Sequence, residues 1–331
     1  MKPIDTALAR AARNVVEHCL GIQAGEVVSI VTDSADPGRL EISHALWEEA
    51  RAKGADVILA EMLPRQNSGE EPPAPIAQLM AESKVVLCPT SKSLSHTQAR
   101  RNASARGARI ASLPTITKEM VVRCLTADYG SIAALTKRVA EKLSQGSRFK
   151  VESELGTSLE LERQGRIVDA DTGLLTQTGE FGNLPAGEAF FAPMEGTANG
   201  KIIFDGSVAD VGILTEPIEL KVERGVARIV STSAAAQELE RSLSVHGPKA
   251  YNIAELGVGT NDRAIVSGNI LEDEKVLGTV HIALGNNAGM GGTVNVPIHL
   301  DGLIRNATLY VDGELVLDKG RLLISPEPAR P

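Results

Sequence analysis

Five acidic and imidazole side chains in the second half of the chain could together hold metal ions. His299 and Asp301 lie two residues apart in the segment PIHLDG, and residues i and i+2 of a strand point to the same face. Glu255 and His281 each lie in an apolar, strand-like segment, where a charged side chain is costly unless it is paired or binds a metal. Glu195 lies in a short segment bounded by proline and glycine. We therefore interpret these five residues as candidate metal ligands.

The types of these side chains indicate which metals they suit. Three carboxylates and two imidazoles, with no sulfur, favour Zn, Mn, Co or Fe in divalent form over copper(I) or an iron–sulfur cluster. A single catalytic zinc typically uses three protein ligands, whereas five ligands with three negative charges suit two ions that share a carboxylate. Two ions about 3.5–4 Å apart can polarise a carbonyl and activate hydroxide. The sequence thus predicts two divalent metal ions (Zn, Co, Mn or Fe) as cofactors.

Each candidate ligand also has an ordinary structural explanation. His299 and Asp301 could lie on a surface strand, and Glu255 could be a salt-bridged structural carboxylate. His281 could be a core histidine whose polar atoms are satisfied, and Glu195 could be solvated in a turn. The spacing alone does not establish that these strands converge, so both interpretations stay open on the residues themselves.

The first part of the chain alternates helical and strand-like segments. Strands are predicted over 26–32, 55–62, 84–90 and 108–114, with helices over 4–20, 38–53, 74–82, 93–106, 117–126 and 129–145. This order predicts a parallel sheet with helices on both faces. We therefore expect an α/β domain of Rossmann-like type over residues 1–146, without a nucleotide-binding loop.

The pattern changes near Gly146. From there the chain shows strands separated by Gly, Asp and Asn turns, interrupted by a helix over 232–244 that Thr232 is predicted to cap. We predict a mostly antiparallel, β-rich catalytic domain over residues 147–331 that holds the metals. The fold class is therefore α/β followed by α+β.

Composition excludes several classes of protein. Among 331 residues, 34 basic and 42 acidic side chains give a net charge of −8, which favours neither nucleic acid nor an anionic membrane as a partner. Three cysteines without a C-x-x-C pair exclude a disulfide scaffold and suit the reducing cytoplasm. We find no signal peptide and no apolar run of the ~20 residues that a membrane-spanning helix needs.

Four motifs occur in order along the second half. They are NLPAGEAFFAPMEGTANG (183–200), AELGVGTN (254–261), LEDEKVLGTVHIALG (271–285) and IHLDG (298–302). Together they resemble the aminopeptidase T and aminopeptidase S family of metallo-aminopeptidases, particularly its shorter, little-characterised branch. The resemblance implies a homodimeric two-metal exopeptidase that acts on peptides or related small amides. Matched position by position, it assigns as metal ligands Glu195, Glu255, His281, His299 and Asp301.

The chain departs from this family in its proton-transfer residues. The well-studied members are longer and place a glutamate, the candidate general base, shortly before the histidine that matches His281. Here Glu274 is the best match and is predicted to be the catalytic proton carrier, although it could instead lie in a solvated turn. Those members also carry a catalytic tyrosine where this chain has Asn286 and Asn287. The resemblance therefore supports the metal site more strongly than it supports the peptidase activity.

Three alternatives to a peptidase follow. The first is a non-haem iron dioxygenase of the group that cleaves dihydroxypyridine rings, which is similar to this family and keeps the H-x-D strand. Those enzymes place histidine at the position of Glu255 and lack the histidine that matches His281, so the presence of both residues favours the peptidase. Two histidines and a carboxylate, such as His281, His299 and Asp301, could nevertheless hold Fe(II). The second is a non-catalytic relative, and the third is a hydrolase of small amides rather than peptides.

Overall fold

The structure is a computed structural model that describes residues 5–324. Its α-helices are α1 (Thr6–Asn14), α2 (Pro37–Ala52), α3 (Ala74–Glu82), α4 (Gln98–Ala105), α5 (Lys118–Cys124), α6 (Tyr129–Gln145), α7 (Ala234–Ser244) and α8 (Ile270–Asp273). The first strands are β1 (Val27–Asp33), β2 (Asp56–Met62), β3 (Val85–Cys88), β4 (Arg109–Ser112), β5 (Arg148–Glu152), β6 (Ser158–Glu162), β7 (Asp169–Asp171), β8 (Phe181–Asn183), β9 (Glu188–Phe191) and β10 (Asn199–Phe204). The remaining strands are β11 (Ser207–Val208), β12 (Gly212–Ile213), β13 (Ile218–Glu223), β14 (Val226–Ile229), β15 (Ile253–Gly259), β16 (Val280–Gly285), β17 (His299–Ile304), β18 (Thr308–Val311), β19 (Glu314–Asp318) and β20 (Arg321–Leu322).

The first compact unit contains the predicted parallel sheet. Its five strands have the order β2-β1-β3-β4-β8, and every pairing is parallel. The apolar runs that predicted β1 and β3 are buried, as expected when both faces of a parallel sheet are covered. Side chains cap the connecting helices: Asp36 accepts from the Gly38 N–H at the start of α2, and Thr97 does the same for Arg100 in α4. The predicted fold class is confirmed in this part of the chain.

The compact units do not divide at a single point of the chain. The first unit is Met1–Ala133 together with Thr172–Ala186, and the second is Ala134–Asp171 together with Gly187–Pro331. The sequence prediction of 1–146 and 147–331 therefore differs from the structure in two ways. The boundary lies earlier, and a later segment returns to the first sheet because β8 pairs with β4 through Ile110 and Phe181.

The second unit is built from two antiparallel sheets. One has the strand order β14-β13-β10-β6-β5-β18-β19-β20; the other, which we call sheet C, has the order β12-β11-β17-β16-β15-β9-β7. Apolar residues of both sheets form one buried cluster, in which the rings of Phe149 and Phe191 lie 4.6 Å apart between centroids. Helix α7 is capped by Ser233, not by the predicted Thr232: the Ser233 hydroxyl accepts from the Ala236 N–H.

Alternation along sheet C separates a core face from a polar face. On β15, Leu256 and Val258 belong to the buried apolar cluster, so Glu255 and Gly257 lie on the opposite face. The neighbouring strands follow the same rule, with Gly257 opposite His281 and Ala283 opposite both Glu255 and Asp301. A register shift between Ile253 and Glu255 marks a bulge of the kind often found beside active sites. Four adjacent strands thus present acidic and imidazole side chains on one face.

The three cysteines lie in the interior of the protein. Cys19, Cys88 and Cys124 are buried and form no disulfide, and burial raises the pKa of the Cys88 thiol to about 12. A thiol with so high a pKa is a poor nucleophile at neutral pH.

In the described part of the chain, no helix is both long and apolar enough to cross a bilayer.

Candidate metal centre

Four of the five predicted ligands converge on the polar face of sheet C. The Glu255 carboxylate lies between two imidazoles: its Oε1 is 3.1 Å from His281 Nε2, and its Oε2 is 3.3 Å from His299 Nε2. Asp301 Oδ1 lies 3.6 Å from the same nitrogen of His299. His281 is fully buried, whereas the His299 side chain is 25% exposed. The cluster is therefore buried at one end and open to solvent at the His299 end.

Glu188 also belongs to this cluster, although it was not among the ligands predicted from the sequence. Its Oε2 is 3.3 Å from His281 Nε2, and its side chain is buried. Two overlapping groups result, Glu188–Glu255–His281 and Glu255–His299–Asp301, and within each group the ligand atoms lie within 4.8 Å of one another. The signal that singled out Glu255, an acidic residue in an apolar strand, is also present in the segment GEAFF around Glu188.

Glu195 belongs to neither group. Its carboxylate accepts hydrogen bonds from Asn287 Nδ2 at 2.9 Å and from the Thr293 backbone N–H at 2.7 Å, and Arg166 pairs with it as well. These donors already satisfy the carboxylate. Glu188 and Glu195 lie in the same sequence motif, and it is Glu188, seven residues earlier, that the structure places beside the other four candidates.

Unpartnered atoms in the cluster fit a bound cation. Glu188 Oε2 and Asp301 Oδ1 are buried and accept no hydrogen bond. Buried polar atoms are nearly always paired, so such exceptions call for an explanation. A metal ion would supply the missing partner, and nitrogen and oxygen donors of this kind suit a first-row divalent ion.

The orientation of His299 also suits a metal ligand. Its Nδ1 lies 2.7 Å from the backbone oxygen of Asn286, to which the ring N–H donates. This bond leaves the lone pair of Nε2 directed at Glu255 and Asp301. Metal-binding histidines usually have such a second partner, which fixes the tautomer and the ring plane.

The charges of the cluster favour cations strongly. Burial lowers the pKa of His281, but the hydrogen bond to Glu255 and the charge of Glu188 outweigh it and raise the pKa to about 9. Burial also lowers the pKa of His299, but the carboxylates of Asp301 and Glu255 outweigh it and raise the pKa. The imidazoles of His299 and His281 in turn hold the pKa of Asp301 below its usual range despite burial. When no ion is bound, protons on the imidazoles balance the charge of the carboxylates, and a metal ion would compete with these protons.

A buried lysine and a second glutamate adjoin the cluster. Lys275 Nζ donates to Glu188 Oε1 at 2.6 Å and also to Glu274 Oε1. Burial raises the pKa of Glu274 to about 8, although Lys275 opposes the shift. Glu274 therefore does not lie in a solvated turn: it follows α8 and is buried.

Replacing Glu195 with glutamine should destabilise the protein at neutral pH. Burial raises the pKa of Glu195, but its hydrogen bonds outweigh this and lower the pKa to about 2, below the usual ~4.3 of an unfolded chain. Its contribution is therefore present above about pH 5 and lost as the pH falls toward 2. We expect Glu195→Gln to lose ~1.5–3 kcal/mol at pH 7 and less at pH 3. Urea unfolding at both values measures this, and an equal loss at both would contradict it.

A family model and a curated relative point to the same family. The family model for NicX, 2,5-dihydroxypyridine 5,6-dioxygenase, matches residues 7–324. A 2,5-dihydroxypyridine 5,6-dioxygenase from Pseudomonas putida is 25% identical to this chain over a match that covers 57% of each protein. The sequence match thus spans little more than half of that relative.

Two solved structures have the same fold. The 2,5-dihydroxypyridine dioxygenase of Pseudomonas putida KT2440 superposes with a TM-score of 0.82 at 21% identity, over 99% of this chain and all of that chain. AmpT from Thermus thermophilus superposes with a TM-score of 0.71 at 15% identity, over 96% and 99% of the two chains. At these identities, each similarity shows the fold alone.

The predicted aminopeptidase activity is wrong. The family model describes dioxygenases, and the curated relative is a dioxygenase. The similarity to AmpT is distant and concerns the fold alone. The prediction of a hydrolase that acts on peptides is therefore wrong as well. The physical reason is that one fold serves both families, so motifs on its strands do not distinguish the two chemistries. The chain belongs to the 2,5-dihydroxypyridine 5,6-dioxygenase family.

Proposed function

We propose that this chain is a metal-dependent dioxygenase that opens an electron-rich, hydroxylated nitrogen-containing ring, such as a dihydroxypyridine. Membership of the dioxygenase family over residues 7–324 is the observation that carries this proposal. The geometry of Glu255, His299 and Asp301 supports it, because these residues form a ligand group at the solvent-accessible end of the cluster. A homodimer stays a prediction from the sequence.

A divalent first-row ion such as Fe(II) fits this ligand group. One imidazole and two carboxylates are hard or borderline donors, which suit Fe(II) or Mn(II). When bound, such an ion supplies the one-electron chemistry that allows dioxygen to react with a closed-shell ring. His299 is held by Asn286, and Glu255 is held by His281, so both ligands have fixed orientations.

The proposed reaction balances without an external reductant. One bond of the ring breaks, and both atoms of dioxygen end in the ring-opened product. The four electrons that reduce dioxygen come from the ring. A ring hydroxyl must lose its proton for this to occur, so a proton acceptor is needed near the metal.

Glu274 is our candidate for that proton acceptor. Its pKa of about 8 places the change of protonation close to neutral pH, and its partner Lys275 also binds the ligand-group residue Glu188. We expect Glu274→Gln to lower kcat by ~10²-fold, as loss of a general base typically does. The wild-type kcat should rise as the pH passes about 8, because the ionised carboxylate accepts the proton, and this rise should be absent from the variant.

The matched control for this prediction is Glu314→Gln, which changes an exposed glutamate of the same unit. It should leave both kcat and its pH dependence unchanged. A Glu274→Gln protein with the wild-type kcat and pH profile would remove Glu274 from the mechanism.

An oxygen electrode tests the proposed function. Protein loaded anaerobically with Fe(II) is mixed with a panel of dihydroxypyridines, and oxygen uptake is followed together with the ultraviolet absorbance of the ring. We expect uptake and loss of absorbance in equal molar amounts for at least one ring. Iron-loaded protein that consumes no oxygen with any of these rings would overturn the proposal.

A further inference from the structure

The loop between β16 and β17 carries the carbonyl that orients His299. This loop, which we call the hairpin loop, comprises residues 286–298 and joins two paired strands of sheet C. At its first residue, the Asn286 carbonyl accepts from His299 Nδ1 at 2.7 Å, and the Asn286 N–H donates to the Ile298 carbonyl at 2.8 Å. The direction of the His299 ring therefore depends on where the hairpin loop holds Asn286.

Asn287 is the centre of the hydrogen bonds within the hairpin loop. It is fully buried, its N–H donates to the Val294 carbonyl, and its Oδ1 accepts from the Val294 N–H at 2.9 Å. Its carbonyl accepts from the N–H groups of Met290 and Gly292. Its remaining polar group, Nδ2, donates to a residue outside the loop, Glu195. The side chain of Asn287 thus joins the loop to the rest of the unit.

Glu195 ties both sides of the hairpin loop to the connection between β9 and β10. Its Oε1 accepts from Asn287 Nδ2 at 2.9 Å and from the Thr293 N–H at 2.7 Å. Its Oε2 pairs with Arg166, whose side chain is nearly buried. Hydrogen bonds to an ionised group are stronger than those between neutral groups. The loop is therefore held from outside by a carboxylate that is itself held by a guanidinium.

We propose that Glu195 is a positioning residue for His299: it fixes the hairpin loop through Asn287, and the loop fixes the carbonyl that selects the tautomer and plane of the imidazole. This inference rests on the metal assignment of the proposed function, because the arrangement presents the lone pair of His299 Nε2 to an ion. Glu195 lies outside both ligand groups, so it acts through the loop and not by contact with the metal.

Gly292→Ala breaks this connection without removing any group that forms it. A Cβ atom at Gly292 would lie 2.0 Å from Asn287 Cγ and 2.1 Å from its Oδ1. The buried amide must therefore move, and its bonds to Glu195 and Val294 cannot both survive. Gly289→Ala is the matched control in the same loop, because a Cβ atom there meets no heavy atom within 4 Å.

The first measurement is NMR of the metal-free full chain with ¹⁵N-labelled histidine. The His299 Nδ1 proton, identified by its absence from His299→Ala protein, should exchange slowly with water in the wild type and in Gly289→Ala. We expect exchange to be ~10-fold faster or more in Gly292→Ala, as for the loss of one hydrogen bond. A His299 Nδ1 proton that exchanges as fast in the wild type as in Gly292→Ala would overturn the proposal.

The second measurement is the affinity of the same proteins for Zn(II), by calorimetry. We expect a loss of about 10–100-fold in Gly292→Ala, as for other residues that orient a ligand, and none in Gly289→Ala. A purely structural role predicts lower resistance to urea with unchanged zinc affinity of the folded protein. If Gly292→Ala does not fold, Glu195→Gln breaks the same connection from its other end. A folded variant of either kind with the wild-type exchange rate or the wild-type affinity would overturn the proposal.

These outcomes are separable from those of the proposed function, because zinc has no redox chemistry. If iron-loaded wild type opens no ring but Gly292→Ala shows both losses, the dioxygenase is overturned and the role of Glu195 stands. If the ring opens and Gly292→Ala binds zinc like the wild type, the reverse holds. A wild type that binds no zinc would overturn the metal assignment on which both depend.

Discussion

His299→Ala should abolish metal binding and ring opening together. The residue supplies the imidazole of the solvent-accessible ligand group, with Nε2 3.3 Å from Glu255 Oε2 and 3.6 Å from Asp301 Oδ1. Loss of a residue that merely orients a ligand already costs about 10–100-fold in metal affinity, so loss of a ligand itself should cost more than about 100-fold. Titration with Mn(II) and oxygen uptake measure the two effects.

The control for this variant is His246→Ala. His246 lies in the same unit, outside both ligand groups, and should bind metal and consume oxygen like the wild type. A His299→Ala protein that folds, as judged by circular dichroism, and retains one tightly bound ion would place the metal elsewhere.

Gly257→Ala should weaken the site although it replaces none of the candidate ligands. A Cβ atom at this position would lie 2.0 Å from His281 Nε2 and 2.3 Å from its Cε1, far inside contact distance. The imidazole must therefore move, and Glu255 Oε1, which it contacts at 3.1 Å, loses its partner. Because Glu255 is shared by both ligand groups, we expect a loss of about 10–100-fold in metal affinity and a parallel loss of activity.

Gly289→Ala is the matched control, because a Cβ atom there meets no heavy atom within 4 Å. It should bind metal with the wild-type affinity. If folded Gly257→Ala protein did the same, the position of the His281 ring over Gly257 would have no bearing on the site.

Local patterns predicted most of the fold. The period of apolar residues placed α2 at 38–53, against Pro37–Ala52 in the structure, and placed β2 at 55–62, against Asp56–Met62. Strand β8 could not be predicted in this way, because it is three residues long and its pairing with β4 joins segments that are far apart in the chain. Without that pairing, a single boundary between domains was the natural expectation.

The site was predictable where burial and charge conflict. Glu255 and His281 were identified because each interrupts an apolar strand, and the structure brings both to one cluster. Glu188 carries the same signal but was not selected, whereas Glu195, which was selected in a segment bounded by proline and glycine, lies outside both ligand groups. Lys275 lies in the run EDEK, which is typical of a solvated turn, and only the packing around α8 buries it.

The reaction could not be derived from the ligands alone. The fold is shared with AmpT as well as with the dioxygenase, so the same strands are compatible with either chemistry. The absence of the peptidase tyrosine at Asn286 and Asn287 was a local departure that pointed away from a hydrolase. In this structure the two asparagines have different roles: Asn286 holds His299 through its backbone carbonyl, and Asn287 binds Glu195.

Isotope labelling of the product tests the central claim most directly. Iron-loaded protein is incubated with a dihydroxypyridine under ¹⁸O₂ in ordinary water, and the product is analysed by mass spectrometry. If sheet C carries a dioxygenase centre, the ring-opened product contains two heavy oxygen atoms, and the His299→Ala protein forms none of it. Product that contains oxygen from water alone, or equal product from the His299→Ala protein, would contradict a dioxygenase at this site.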